Sequence, residues 1–140
     1  MLRTLVVALS LAASLPCVAD VGDEAARSYT LETSGTTSHV KVGAPGKVVL
    51  WIRPRGGTHV HPQAPLALSL QAPPALKLAR EKLGHRDAVD PKSEAPRFEI
   101  PVTASAAGAY SVQASVDFFL CSDTWCVKQV RSISIPITAK

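Results

Sequence analysis

From Tyr29 onward, apolar and polar residues alternate in short runs separated by glycine and proline. Alternation with period two puts successive side chains on opposite faces of a strand. Many short alternating runs with frequent turn residues predict an all-β sandwich. Val40 and Val42 precede an Ala44-Pro45-Gly46 turn, and residues 47–53 (KVVLWIR) are β-prone and apolar enough for a central strand. Gly56-Gly57 ends that strand's side of a hairpin. Leu66, Leu68 and Leu70 alternate with Ala67 and Ser69, as in a half-buried strand. The pattern leaves residues 76–83 open between a short helix and a strand. Residues 84–96 (GHRDAVDPKSEAP) read as a long polar loop, and loops of that kind are often functional. Phe98, Ile100 and Val102 alternate again, and Gly108 turns the chain into a last hairpin.

That hairpin is the most legible part of the sequence. Tyr110, Val112, Ala114, Val116, Phe118 and Leu120 share one phase of its first strand, while Ser111, Gln113, Ser115 and Asp117 share the other. Cys121 falls on the polar phase. On the return strand Val127, Ile133, Ile135 and Ile137 share the apolar phase, and Cys126 falls with Lys128, Ser132 and Ser134. The two cysteines are therefore expected opposite each other, on the face away from the core, with both sulfurs reachable for attack.

The N-terminus changes the chemical setting. Arg3, the short apolar run of residues 4–15 and the small residues Cys17-Val18-Ala19 read as a secretory signal over residues 1–19. Acylation of Cys17 is a second reading, which Ser14 and Pro16 suit poorly. The mature chain is then expected to be soluble, with residues 20–42 as an N-terminal segment and first strand and residues 43–140 as one domain. Residues 20–28 (DVGDEAARS) read as loose. An exported chain meets an oxidising compartment in which a disulfide persists. The net charge of +4 is mild and scattered, without arginine-aromatic interleaving, which argues against a nucleic-acid partner.

Cys121 and Cys126 admit three roles. Opposed strand residues have Cβ atoms about 4.5–5.5 Å apart, whereas a relaxed disulfide wants about 3.8 Å, so a bridge here is expected to be strained and reducible. Closing so short a loop is worth only about 2 kcal/mol in the chain-entropy model. These points suit a redox pair; a structural bridge of a secreted module weighs about equally on spacing alone. His59 and His61, two apart and hence on one strand face, complete a Cys2His2 set suited to copper(I) or zinc. An H-x-H pair is weak evidence, and the plainer reading is two surface histidines. No cofactor or tightly held metal is expected.

Gly57-Thr58-His59-Val60-His61, Pro91-Lys92-Ser93-Glu94, Phe98-Glu99-Ile100-Pro101-Val102-Thr103 and the cysteine hairpin occur in a familiar order and spacing. Over residues 43–140 the sequence resembles the N-terminal periplasmic domain of the thiol:disulfide interchange protein DsbD. The resemblance implies an immunoglobulin-like β-sandwich in the bacterial periplasm. It implies that Cys121 and Cys126 cycle between dithiol and disulfide, carrying electrons between a membrane reductase and other thiol or disulfide proteins. It places a shielding cap at residues 87–91, with Asp87, Val89 and Asp90, and puts His59 and His61 where better-known members carry aromatic residues. Trp125 and Lys128 complete the expected lining. The cysteine spacing is one residue shorter than in those members, and the cap carries no aromatic residue. The transmembrane and thioredoxin-like parts are not in this sequence, so it is not expected to draw electrons across a membrane by itself. Cys121 is the expected attacking thiol, with Lys128 placed to activate Cys126 instead.

Overall fold

A computed structural model describes residues 20–140. The proposed signal sequence and Cys17 lie outside the described residues. The elements are α1 (Val21–Arg27), β1 (Tyr29–Glu32), β2 (His39–Val40), β3 (Pro45–Pro54), β4 (His59–Val60), β5 (Ala67–Gln71), β6 (Leu76–Leu78), β7 (Lys82–Leu83), a 3₁₀ turn (His85–Asp87), β8 (Arg97–Ala104), β9 (Gly108–Cys121) and β10 (Cys126–Ala139). One sheet runs β1-β3-β8-β6. The other runs β2-β10-β9-β5-β7, with β4 also paired to β9. The fold is all-β, an immunoglobulin-like sandwich.

The inward phases behave as their periodicity predicts. Val112, Ala114, Val116, Phe118 and Leu120 of β9 are buried and face Val48, Leu50 and Ile52 of β3 and Phe98, Ile100 and Val102 of β8. Burying a large aliphatic or aromatic side chain contributes about 1.5–3 kcal/mol, which makes this layer the main source of stability.

One expectation is corrected and one open reading is settled. Residues 20–28 are not loose: Asp20 caps α1 by accepting from the Gly22 N–H, and Ala25 is fully buried. The helix rests against β10, where Arg131 donates to the Ala26 carbonyl. Tertiary contact therefore orders seven residues too few to hold a helix alone. Residues 76–83 resolve into two short strands in different sheets. Leu76 and Leu78 lie on β8, whereas Leu83 crosses to pair with Leu68 of β5. Neither strand has a long enough run to declare itself by period.

One polar clasp joins the sheets on the inward phase. The Tyr29 hydroxyl of β1 donates to Oε1 of buried Gln129 at 3.3 Å and accepts from Nε of Arg131 at 2.7 Å. Its ring meets Phe118 edge-on, with centroids 5.0 Å apart. This lies directly beneath the cysteine hairpin, because Gln129 is the β10 partner of Phe118.

Candidate functional site

The β9–β10 hairpin closes through Ser122, Asp123, Thr124 and Trp125. The Ser122 N–H donates to the Trp125 carbonyl at 2.8 Å. The Ser122 hydroxyl accepts from the N–H groups of Thr124 and Trp125, each at 3.2 Å. A serine that folds back onto the next two amides is a common turn former. The Trp125 ring packs on the edge of the core. Ser122 escaped the sequence reading, although its place directly after a strand was a usable signal. Ser122→Ala should lower the melting stability by about 1 kcal/mol with the disulfide intact, measured by denaturant unfolding.

Cys121 and Cys126 are direct partners in the β9–β10 ladder and are joined by a disulfide. Their Cα atoms are 4.1 Å apart. The pair next to a hydrogen-bonded turn pair is the narrow, non-hydrogen-bonded kind, in which side chains stand closest. The bridged pair stands slightly closer than the about 4.5 Å of an ordinary narrow pair, in line with the expectation that a bridge draws the strands together.

The two sulfurs are not equivalent, and here the sequence expectation is half corrected. Both leave the outer face of the sheet, and Cys121 is no member of the core cluster. Yet Cys121 is only 2% exposed, while Cys126 is exposed. The cause is the strand order. At this level β9 has β10 on one side and β4 on the other, with His59 opposite Cys121 and Val60 opposite Leu120. Among the described residues β10 has β9 alone beside it here, because β2 reaches β10 only at Thr138 and Ala139. Cys126 therefore stands on a sheet edge and Cys121 in a sheet interior.

β4 is delivered to β9 by the turn after β3. Gly56 and Gly57 both have positive φ, 61° and 74°, which residues with a side chain adopt at a cost. The Thr58 hydroxyl holds the turn by bonding the Arg55 and Ser28 carbonyls. His59 thereby joins a cross-strand row, His59–Cys121–Cys126, on one face. His61 follows on the same stretch: its N–H donates to the Phe119 carbonyl at 2.9 Å, and the two imidazole centroids are 6.5 Å apart.

The histidines differ in what they can do. Nδ1 of His61 accepts from the N–H groups of Gln63 and Ala64, at 3.2 and 3.1 Å. Its ring proton therefore sits on Nε2. Charging the ring or binding a metal through Nε2 would put a proton on Nδ1 and break both bonds. His61 shapes a turn. Among the described residues, no group of three or more His, Cys, Asp or Glu side chains is arranged to hold a metal ion.

The remaining predicted lining residues are placed as follows. Lys128 is exposed, two residues along β10 from Cys126, and its Nζ pairs with Asp117 at 3.5 Å. Asp87 accepts from the Gly84 N–H and forms an ion pair with Arg80. It lines a cavity of about 530 Å³ with Leu83, Glu99 and Ile100. Val89 is 65% exposed and donates its N–H to the Arg97 carbonyl, and Asp90 is exposed and turns the chain toward Lys92 and Ser93. None of these bonds reaches the cysteines. It is the far end of the loop that approaches them, where the Glu94 carbonyl accepts from Val60 of β4 at 2.9 Å.

No protein-family model and no curated protein matches the sequence. Among solved structures, the chain is similar to a conjugative transposon lipoprotein from Bacteroides eggerthii, with 11% identity and a TM-score of 0.47 over 79% of this chain and 97% of that one. It is also similar to a cohesin module of a Clostridium perfringens family 33 glycoside hydrolase, with 11% identity and a TM-score of 0.40 over 80% and 96%. A third similarity is to domains 4 and 5 of the S-layer protein SbsC, with 9% identity and a TM-score of 0.43. It covers 79% of this chain, which spans half the length of that fragment. At such identities the likeness says nothing about function, and none of the three is named as a thiol–disulfide protein.

Proposed function

We propose that this domain exchanges thiols and disulfides with partner proteins of the cell envelope through Cys121 and Cys126, as a relative of the DsbD N-terminal domain. The observation that carries the reading is the inequality of the two sulfurs: an exposed one on a sheet edge bonded to a buried one in the sheet interior. A partner thiolate can reach Cys126 Sγ. It forms a new S–S bond there, and the electron pair of the old bond passes to Cys121. In the opposite direction the Cys126 thiolate attacks a partner disulfide, and Cys121 resolves the mixed disulfide. This reverses the sequence expectation that Cys121 attacks, for the steric reason just given. Lys128, on the same strand face as Cys126, adds positive charge near the attacking sulfur, moderated by Asp117.

A purely structural bridge is less well supported. The Ser122 bonds and the packing of Trp125 already hold the turn, and the bridge adds only about 2 kcal/mol. The deciding measurement is the reduction potential of the Cys121/Cys126 couple in glutathione buffers. Exchange requires a value well above about −300 mV, the level below which structural disulfides typically lie. A lower value makes the bridge a staple. The reading also expects export, with a mature chain beginning at Asp20, and electron supply from a membrane reductase. Among the described residues no helix is long and apolar enough to cross a membrane.

A further inference from the structure

We infer that His59 carries the proton for the Cys121 sulfur during exchange, an inference that rests on the function proposed above. His59 is the direct β4 partner of Cys121, which is the direct partner of Cys126. Opposed residues leave the same sheet face with Cβ atoms about 4.5–5.5 Å apart, so His59 and Cys121 project from the sheet as neighbours. At 2% exposure, Cys121 has little water to solvate a thiolate, and burial disfavours its charged form. When Cys126 is attacked, however, a thiolate is what Cys121 becomes. A proton donor beside it removes that penalty.

His59 suits the task. It is half-buried, and among the described residues its ring makes no hydrogen bond or ion pair. Imidazole is the side chain that gains and loses a proton near neutral pH. Of the other charged groups around the row, Asp123 is exposed in the turn beyond the cysteines, and the rest are engaged or outlying. Lys128 and Asp117 pair with each other on β10 and β9. Glu94, bonded through its carbonyl to the far edge of β4, has an exposed side chain. His61 has its Nδ1 held by two backbone amides.

The step balances as follows. The thiolate of a partner dithiol attacks Cys126 Sγ, an S–S bond forms between them, and the Cys121–Cys126 bond breaks. Its electron pair goes to Cys121 Sγ, which takes the proton of the His59 imidazolium. The partner's second thiolate then displaces Cys126, which leaves the partner oxidised and this domain reduced. In reverse, neutral His59 takes the proton from the Cys121 thiol before that sulfur closes the bridge.

The test is reduction of the oxidised protein by dithiothreitol, followed by stopped flow from pH 5 to 9 and corrected for the thiolate fraction of the reagent. The corrected wild-type rate should fall between pH 5 and 9, as expected of a step helped by an imidazolium. In His59→Gln that dependence should flatten, and the rate at pH 6 should be about tenfold lower, below the usual contribution of a positioned acid. An identical corrected profile in the variant overturns the proposal. Should His59→Gln fail to fold, His59→Asn is carried through the same pH series, and a corrected profile unchanged from wild type overturns the proposal. The two levels of inference fail separately. A potential below about −300 mV removes the exchange function whatever the pH profile, whereas a high potential with an unchanged profile removes only the role of His59.

Discussion

Cys121→Ser should yield a protein that is trapped as a stable mixed disulfide with a single-cysteine partner, whereas Cys126→Ser should form almost none. The exposed Cys126 thiol remains free to attack in the first variant, and no neighbouring thiol is left to resolve the adduct. In the second variant the only described thiol is 2% exposed and flanked by β4 and β10. It reacts only when that part of the sheet opens, which places its rate under the control of local stability. Alkylation of the two reduced single-cysteine variants by iodoacetamide at pH 7 measures the contrast directly. The Cys126 thiol should react on the order of a hundredfold faster, since an opening that costs about 2.7 kcal/mol reduces the accessible population by that factor. Equal rates would mean that the strand order does not control access, and would remove the structural basis of the proposed exchange. Both variants should fold, because the turn keeps its Ser122 bonds and the lost bridge is worth only about 2 kcal/mol.

Tyr29→Ala should cost about 3–5 kcal/mol of folding stability, the range for removing a large buried aromatic. That is a large part of the 5–15 kcal/mol typical of a domain. Two losses combine: the edge contact on Phe118 disappears, and buried Gln129 loses the hydroxyl that donates to it. Tyr29→Phe separates them. It keeps the ring and should cost about 1–3 kcal/mol, the penalty for a buried polar group left without a partner. Arg131 is exposed and regains water. Denaturant unfolding of both variants gives the two numbers, and equal costs would show that the ring contributes nothing.

The same clasp predicts an alkaline limb of instability. Burial raises the Tyr29 phenol above its ordinary value, against the hydrogen bond and charge of Arg131, which pull it down. A group with a raised folded-state pKa contributes stability that is fully present below its unfolded value, about 10 for tyrosine. That contribution is lost as pH rises through the folded value. Stability should therefore decline above about pH 10, and Tyr29→Phe should show a shallower decline than the wild type.

The amino-acid sequence by itself determined the β-sandwich, the phase of each strand in the last hairpin and the opposition of Cys121 to Cys126. These follow from a period of two and from turn residues within a few positions, which are local properties of the chain. Val112, Ala114, Val116, Phe118 and Leu120 therefore went inward as read. Gln129 sits in the same inward register, and nothing local announces that Tyr29, a hundred positions away, supplies its partner. In the same way, α1 looks loose until β10 is there to receive Ala25 and Arg131 bonds its end. At the site, the polar phase correctly put both cysteines on the outer face, but phase says only which way a side chain points. Whether it meets solvent depends on which strands lie alongside, and that is settled by pairing across long separations. β4 arrives beside Cys121 from 62 positions upstream and buries it, while among the described residues no second strand arrives on the far side of Cys126. The turn after His61 likewise captures its Nδ1 and leaves His59 free, although the two read alike in sequence. Tertiary structure thus turned two equivalent cysteines and two equivalent histidines into unlike members of one row, because burial and hydrogen bonding are properties of neighbours and not of periodicity.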